Sequence, residues 1–428
     1  MSAQQQVTPC ALAGVRVLDL SRVLAGPSVT QMLADLGADV IKVERPGVGD
    51  EARTQGVRPK PRAGSNMEDT SGFSAVNRGK RSIELDLASP GGQAIARRLA
   101  AESDILVENF KTGDLQRYGL DYASLSALYP RLVYCSITGF GQTGPYRMLP
   151  GYDLIFQAMS GLMSATGGPQ DQPGGGPQRV GYPISDATAG LYATIGILAA
   201  LRHRDTPGGR GQHIDLALLD AQIAAMTLVP TNYLIADQLP RRLGIASQMS
   251  CPYQAFDCAD GQIVIAVNNS KQFVQLCSVL GLDALACDEL YSSNALRVAH
   301  RETLVPVLTN ALAVWSVANC RARLTEAGVP CGPLNDLQQV FDDEQVRHRE
   351  LRQEVHHPVK GMTPIVANPL KFSETPVTYR RAPPQLGEHT ADVLREVLGI
   401  DEAELAALRA SRAIGVADLA RHASVASA

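Results

Sequence analysis

Three observations predict a doubly wound α/β protein with a second, smaller α+β domain. Short apolar runs of strand character alternate with segments of helical spacing from residue 14 onward. The alternation gives way near residue 250 to a pattern of paired antiparallel strands. At 428 residues the chain also exceeds the roughly 250–300 residues that one hydrophobic core serves.

"GVRVLDL" (14–20) is the first strand, "PSVTQMLADLGA" (27–38) a helix and "DVIKVE" (39–44) the second strand. Such a β-α-β unit places its strands parallel, with a right-handed crossover. The pattern then repeats. "RSIELDL" (81–87) is a strand and "SPGGQAIARRLAAES" (89–103) a helix, with Ser89 as its cap and Pro90 in its first turn. "DILVENF" (104–110) follows as a strand, and a further strand spans 131–137. Residues 141–180 are rich in Gly and Pro, and "GGPQDQPGGGPQ" (167–178) reads as a mobile loop beside a site. The apolar run 187–201 is too short to cross a bilayer and reads as a buried helix. "PYQAFDCADGQIVIAV" (252–267) is a hairpin around Ala259-Asp260-Gly261. The expected layout is a large domain over 1–225 completed by 400–428, a linker over 226–249, a small domain over 250–345 and an extended return linker over 346–399.

The composition is 45% hydrophobic and 19% charged, with a net charge of −4, so no basic field for nucleic acid or an anionic membrane is expected. Eight cysteines, none in C-x-x-C spacing, point to neither a zinc site nor a thioredoxin-type motif. With no secretory pattern in "MSAQQQVTPC", a cytoplasmic protein with reduced thiols is expected.

The loop after the first strand, "DLSRVLAGPSVTQ", lacks the glycines that cradle a dinucleotide, so Glu44 is weak evidence for ribose binding. His356 and His357 read as surface residues, with no metal expected. No G-x-S-x-G is present. Basic residues cluster at three strand ends: Arg45 after one strand, Arg78, Lys80 and Arg81 before another, and Lys111 and Arg117 after a third. Together they suggest a multiply phosphorylated ligand, each alone being an ordinary solvated charge. Val23, Leu24, Phe110 and Tyr118 would pack its base or arm, or are plain core. Asp186, in "YPISDATAGLYA", stands at a helix start, as a cap for the first-turn amides or as a nucleophile.

"LDLSRVLAGPSVTQMLADLGADVIKVERPGVGD", "NRGKRSIELDL", "DILVENF", "YCSITGFGQTGP", "GYDLIFQAMSGLMSATG", "GVPCGPLND" and "LGEHT" occur in this order. Together they resemble the class III coenzyme A transferases, the CaiB/BaiF family, over residues 12–398. Within it the likeness is to the succinate–hydroxymethylglutarate branch, with Cys251 of "CPYQAF" where Val is usual. The resemblance implies a large Rossmann-like domain, a small domain and two chains interlocked as a homodimer. It makes Asp186 the nucleophile, kept ionised by the helix-start amides. It puts Val23 and Leu24 on the first coenzyme loop, Arg45 and Arg117 at the phosphates, and Leu85, Asn109 and Phe110 around the adenosine, with Tyr118 and Thr138 also coenzyme-binding candidates. Thr138 and Ala88 stand where an oxalate-specific branch has Lys. Coenzyme A would be a substrate, with no tightly bound cofactor. The implied donor is succinyl-CoA and the acceptor a short dicarboxylate, whose distal carboxylate would meet Arg53 or Arg179 while loop 167–178 excludes water. Two alternatives stay open. An α-methylacyl-CoA racemase would pair the aspartate with a histidine where this chain has Tyr152, and a non-catalytic acyl-CoA binder would need no aspartate.

Overall fold

A computed structural model describes residues 10–59 and 69–415. The chain forms two compact units. One comprises Met1–Ser160, Gly181–Met226 and Arg347–Ala428, the other Gly161–Val180 and Thr227–Val346.

The first unit is built on six strands: β1 (Arg16–Asp19), β2 (Asp39–Glu44), β3 (Lys80–Glu84), β4 (Ile105–Glu108), β5 (Val133–Thr138) and β6 (His213–Ala217). All pair in parallel, in the order β3-β2-β1-β4-β5-β6. The chain direction across the sheet reverses between β1 and β4, so a crevice opens there beyond the strands' carboxyl ends. Both faces are covered, so the strands are buried at most positions, polar ones such as Asp19, Lys42 and Lys80 included. Leu18, Ile41, Leu106 and Tyr134 pack on one face. Val17, Val40, Ile105 and Val133 pack on the other, with helices Ala25–Asp35 and Ile184–Arg204. Ser89 caps helix Pro90–Ala101, its hydroxyl accepting the Gly92 amide at 3.0 Å.

Helix Ile184–Arg204 has 21 residues, so by length and composition it is long enough to cross a membrane, unlike the shorter apolar run read from the sequence. The apolar run understated the helix because the polar first turn and the basic last turn also belong to it. Ala189, Ala193, Ile197 and Ala200 are fully buried against the core, whereas Leu191 and Ile195 on the other face are 57% and 62% exposed.

The stretch 346–399 is not extended throughout. It holds an antiparallel hairpin, β10 (Arg352–His357) and β11 (Gly361–Val366), and helix Thr390–Leu398. Val355, His357, Thr363 and Ile365 point inward and alternate with exposed residues, a period of two that the prolines obscure.

In the second unit β7 (Tyr253–Cys258), β8 (Gly261–Ala266) and β9 (Cys331–Pro333) form an antiparallel sheet over a core including Phe256, Ile263, Phe273 and Leu308. The segment expected to be a linker, 226–249, contains helix Leu228–Ala236. The Gly-rich loop belongs to this unit, tied by Gly244 N–H to the Gly167 carbonyl (2.9 Å) and by Arg242 to the Gln170 side chain (2.9 Å).

Candidate active site

The loop leaving β1 is shaped by charges buried beneath it. Asp19 accepts hydrogen bonds from the Ser21 amide (2.9 Å), the Thr30 hydroxyl (2.6 Å) and Lys80 Nζ (3.1 Å). Burial opposes its ionisation, but Lys80 and Lys42 overcome this and hold its carboxyl at about 2. Lys42 Nζ donates to the Ser21 carbonyl (2.9 Å) and to Asp50 (2.8 Å), and Asp50 accepts the Val23 amide (3.0 Å). That contact stabilises Val23 at φ 68°, a conformation that β-branched residues rarely adopt.

Across the crevice, the turn after β4 holds the other side of the same loop. Asn109 accepts the Arg22 amide (2.8 Å) and donates to the Arg22 carbonyl (2.7 Å), while the Arg22 guanidinium lies 5.0 Å from the Phe110 ring centroid. The structure thus brings Val23, Leu24, Asn109 and Phe110 together at the point where the strand order reverses. Arg45 follows β2 and is exposed. Arg117 is exposed in the turn Asp114–Tyr118, its guanidinium 4.7 Å from the Tyr118 ring. Thr138 ends β5, and its hydroxyl accepts the Gly141 amide (3.0 Å).

Several charged candidates are instead structural. Arg78 pairs with Asp35 (2.6 Å), Lys80 with Asp19, and Arg81 with Asp39 and Glu396, because each points into the fold from the end of a buried strand. Arg53, a candidate for a substrate carboxylate, is 9% exposed, ion-paired to Glu44 (2.7 Å) and Asp69 (2.8 Å), and 3.5 Å above the Phe73 ring. Glu44 is thereby occupied as well. Arg179 is exposed, in the second unit. The Leu85 side chain is 2% exposed and belongs to the core. Tyr118 packs partly against the same core. His357 is no surface residue: it is 2% exposed, accepts two backbone amides at Nδ1 and pairs through Nε2 with Glu388 (3.1 Å). Among the described residues no His, Cys, Asp and Glu side chains are grouped to hold a metal.

Asp186 is the third residue of its helix and caps nothing. The cap is Asp153, the first residue of helix Asp153–Met159, whose Oδ1 accepts the Ser185 amide (2.7 Å) and the Asp186 amide (3.3 Å) and whose Oδ2 accepts Gln157 Nε2 (2.6 Å). Sequence grammar missed Asp153, because local capping rules do not reach a residue 33 positions away. The expectation that helix-start amides keep Asp186 ionised is corrected too. Two of those amides serve Asp153, and burial, then the Asp153 charge, push the Asp186 carboxyl up to about 7.

Gly190 lets this helix approach helix Ala25–Asp35 closely. A Cβ there would overlap the Ser28 hydroxyl and lie 3.5 Å from the Ala25 carbonyl. One turn on, the Thr194 hydroxyl reaches Met32 Sδ at 4.0 Å. The two contacts step by four residues along both helices, and the same step back from Gly190 and Ser28 leads to Asp186 and Leu24. Gly190→Leu is expected to cost about 1–3 kcal/mol in urea unfolding by forcing the helices apart. It should also lower kcat, since Asp186 moves with its helix.

Comparison with known proteins identifies the family. The profile described as CoA-transferase family III matches residues 12–390. The chain belongs to CoA-transferase family III. The transferase is 45% identical over 390 residues to a succinate–glutarate CoA-transferase of Agrobacterium fabrum, covering 91% of this chain and 96% of that protein. It is 43% identical to a mouse succinyl-CoA:glutarate CoA-transferase, covering 94% and 90%. A crystal structure of a CaiB/BaiF family protein from Brucella suis superposes with a TM-score of 0.80 at 41% identity, covering 91% of the transferase and 99% of that chain. The transferase is accordingly an enzyme acting on CoA thioesters and carboxylates. At the position where a racemase would need histidine, it has Tyr152, 78% exposed.

Proposed function

We propose that the transferase moves CoA from succinyl-CoA to a short dicarboxylate such as glutarate through covalent intermediates on Asp186. One observation carries the reading. The Asp186 carboxylate is poorly hydrated, electrostatically raised by Asp153 and aligned with the loop that carries Val23 and Leu24. A desolvated, more basic carboxylate is a stronger nucleophile. An Asp186 oxygen attacks the thioester carbonyl of the donor, the C–S bond breaks, and CoA leaves as thiolate from a mixed anhydride. The thiolate attacks Cγ of Asp186, giving an aspartyl-CoA thioester and releasing the donor acid. The acceptor carboxylate attacks Cγ in turn and expels the thiolate. Attack of the thiolate on the acceptor's own carbonyl completes the new acyl-CoA and returns Asp186 as carboxylate. No proton is gained or lost over the cycle. Support for the acid pair comes from the activities of the relatives.

The direct test offers succinyl-CoA with a panel of free acids and identifies new acyl-CoA species by mass. Dicarboxylates are expected to be the best acceptors, and a monocarboxylate exceeding all of them would exclude this substrate assignment. Because only ionised Asp186 attacks, kcat/KM should fall on acidification with an apparent pKa near 7. Asp153→Asn keeps an oxygen for the helix amides but removes the charge, so that limb should move to lower pH. An unmoved limb would assign it to another group.

The crevice is proposed to take the nucleotide end of CoA, with Arg45 and Arg117 facing its phosphates. Arg45→Ala and Arg117→Ala are each expected to weaken CoA binding by about 1.5–3 kcal/mol. Neither should affect a pantetheine thioester, which lacks those phosphates. We also propose a homodimer. Leu191, Tyr192 and Ile195 on the long helix, with Leu154, Ile155 and Met159 nearby in the chain's first unit, are large apolar side chains left 40–62% exposed, as a second copy would cover.

A further inference from the structure

Glu108 ends β4 immediately before Asn109 and Phe110, yet it is 5% exposed. Its Oε2 accepts the Phe110 amide at 2.8 Å. In the parallel register it lies beside Ser136 of β5, to which it is hydrogen-bonded, and the Ser136 hydroxyl is 3.0 Å from His213 Nε2 on β6. The His213 ring is itself stacked on Tyr122, with centroids 4.7 Å apart. Three strands and a helix thus fix one carboxyl group that contacts the backbone of the next turn.

A cavity of about 340 Å³ lies beside this chain, lined by Glu108, Lys111, Gln116, Tyr134, Ser136 and His213 among others. The segment 111–116 therefore borders open space on that side, while Leu115 anchors it in the core. At its root, the Glu108–Phe110 bond acts beside the two Asn109–Arg22 hydrogen bonds. Burial pushes the Glu108 carboxyl up to about 7, opposed by the hydrogen bonds it accepts from Ser136 and the Phe110 amide.

We propose that Glu108, backed by Ser136 and His213, is a positioning residue that fixes the Asn109–Phe110 turn against which the CoA nucleotide binds. The proposal rests on the reading that CoA occupies the crevice. Glu108 touches no reacting atom in this scheme. It sets the affinity for the nucleotide and not the rate of chemistry.

The test measures KM and kcat for succinyl-CoA and for succinyl-pantetheine. Glu108→Ala is expected to raise KM for succinyl-CoA about tenfold, the size of one lost buried hydrogen bond, with kcat within about twofold. Glu108→Gln should restore KM, because its amide oxygen still accepts the Phe110 N–H. Neither variant should alter KM for the pantetheine thioester. An unchanged KM in Glu108→Ala, an equal rise with pantetheine, or failure of Gln to restore it overturns the proposal. If Glu108→Ala does not fold, Ser136→Ala decides, with a rise in KM for succinyl-CoA of about threefold expected and no rise overturning it. Phe110→Ala separates the two levels. A rise in its KM with none in Glu108→Ala overturns this proposal alone, whereas no rise in Phe110→Ala removes the CoA site on which it rests.

Discussion

Asp186→Asn and Asp186→Ala should each lose transfer activity by on the order of 10⁴-fold or more, while CoA affinity stays within about twofold. A carboxamide cannot form the anhydride, so the covalent route closes at its first step. Fold damage is not the cause expected, because Asp153 and not Asp186 caps the helix. The stability of the variant provides an internal check. A carboxyl whose folded pKa is raised from 3.8 to about 7 binds its proton more tightly in the native state. Its contribution therefore favours folding below pH 4 and opposes it increasingly as pH rises through that window. Removing the charge should leave Asp186→Asn at least as stable as the parent at pH 8, measured by thermal unfolding. In the parent, hydroxylamine added during turnover should modify Asp186 alone. Substantial transfer by Asp186→Ala would end the covalent mechanism.

Lys42→Met should cost about 3–5 kcal/mol, because it leaves Asp50 and the Ser21 carbonyl buried without their partner. The lysine side chain is fully buried, and its charge is kept, against burial, by Asp19, Asp50 and Glu44. The damage should also reach function, since Asp50 then loses the counter-charge that lets it hold the Val23 amide. Urea unfolding gives the first effect, and KM for the CoA donor in the surviving folded fraction gives the second. The parent carries the acid signature of the same cluster. Asp19, held at about 2 against an ordinary 3.8, contributes stability above pH 4 that disappears as pH falls toward 2. A variant as stable as the parent would show that these buried charges are replaceable.

Much of the first unit was legible because its signals are local. β2 occupies the predicted residues 39–44, and Ser89 with Pro90 opens a helix by side chain and ring geometry alone. The hairpin β7–β8 was visible in its alternation around Ala259-Asp260-Gly261. β6 was not anticipated, because "HIDLA" is a short edge strand only partly buried and reads equally as the lead-in to a helix. The charged residues show the sharper limit. Arg45 and Arg53 stand eight positions apart after the same strand, and nothing in the sequence says that one meets solvent and the other Glu44 and Asp69. That distinction is made by tertiary partners. For the same reason Asp186 was recognisable as a residue of interest, whereas its protonation behaviour depended on Asp153 and could not be read.

The two-faced helix Ile184–Arg204 has a thermodynamic consequence. Asp186 and the exposed Leu191 and Ile195 ride on one rigid rod, so whatever orders the outer face also steadies the nucleophile. If a second copy covers that face, association and turnover are linked by mass action. Specific activity should then drop when the enzyme is diluted below its dimer dissociation constant, and the unfolding temperature should climb with protein concentration. Leu191→Asp would carry the same deficit at every concentration, with every residue of the CoA crevice left in place.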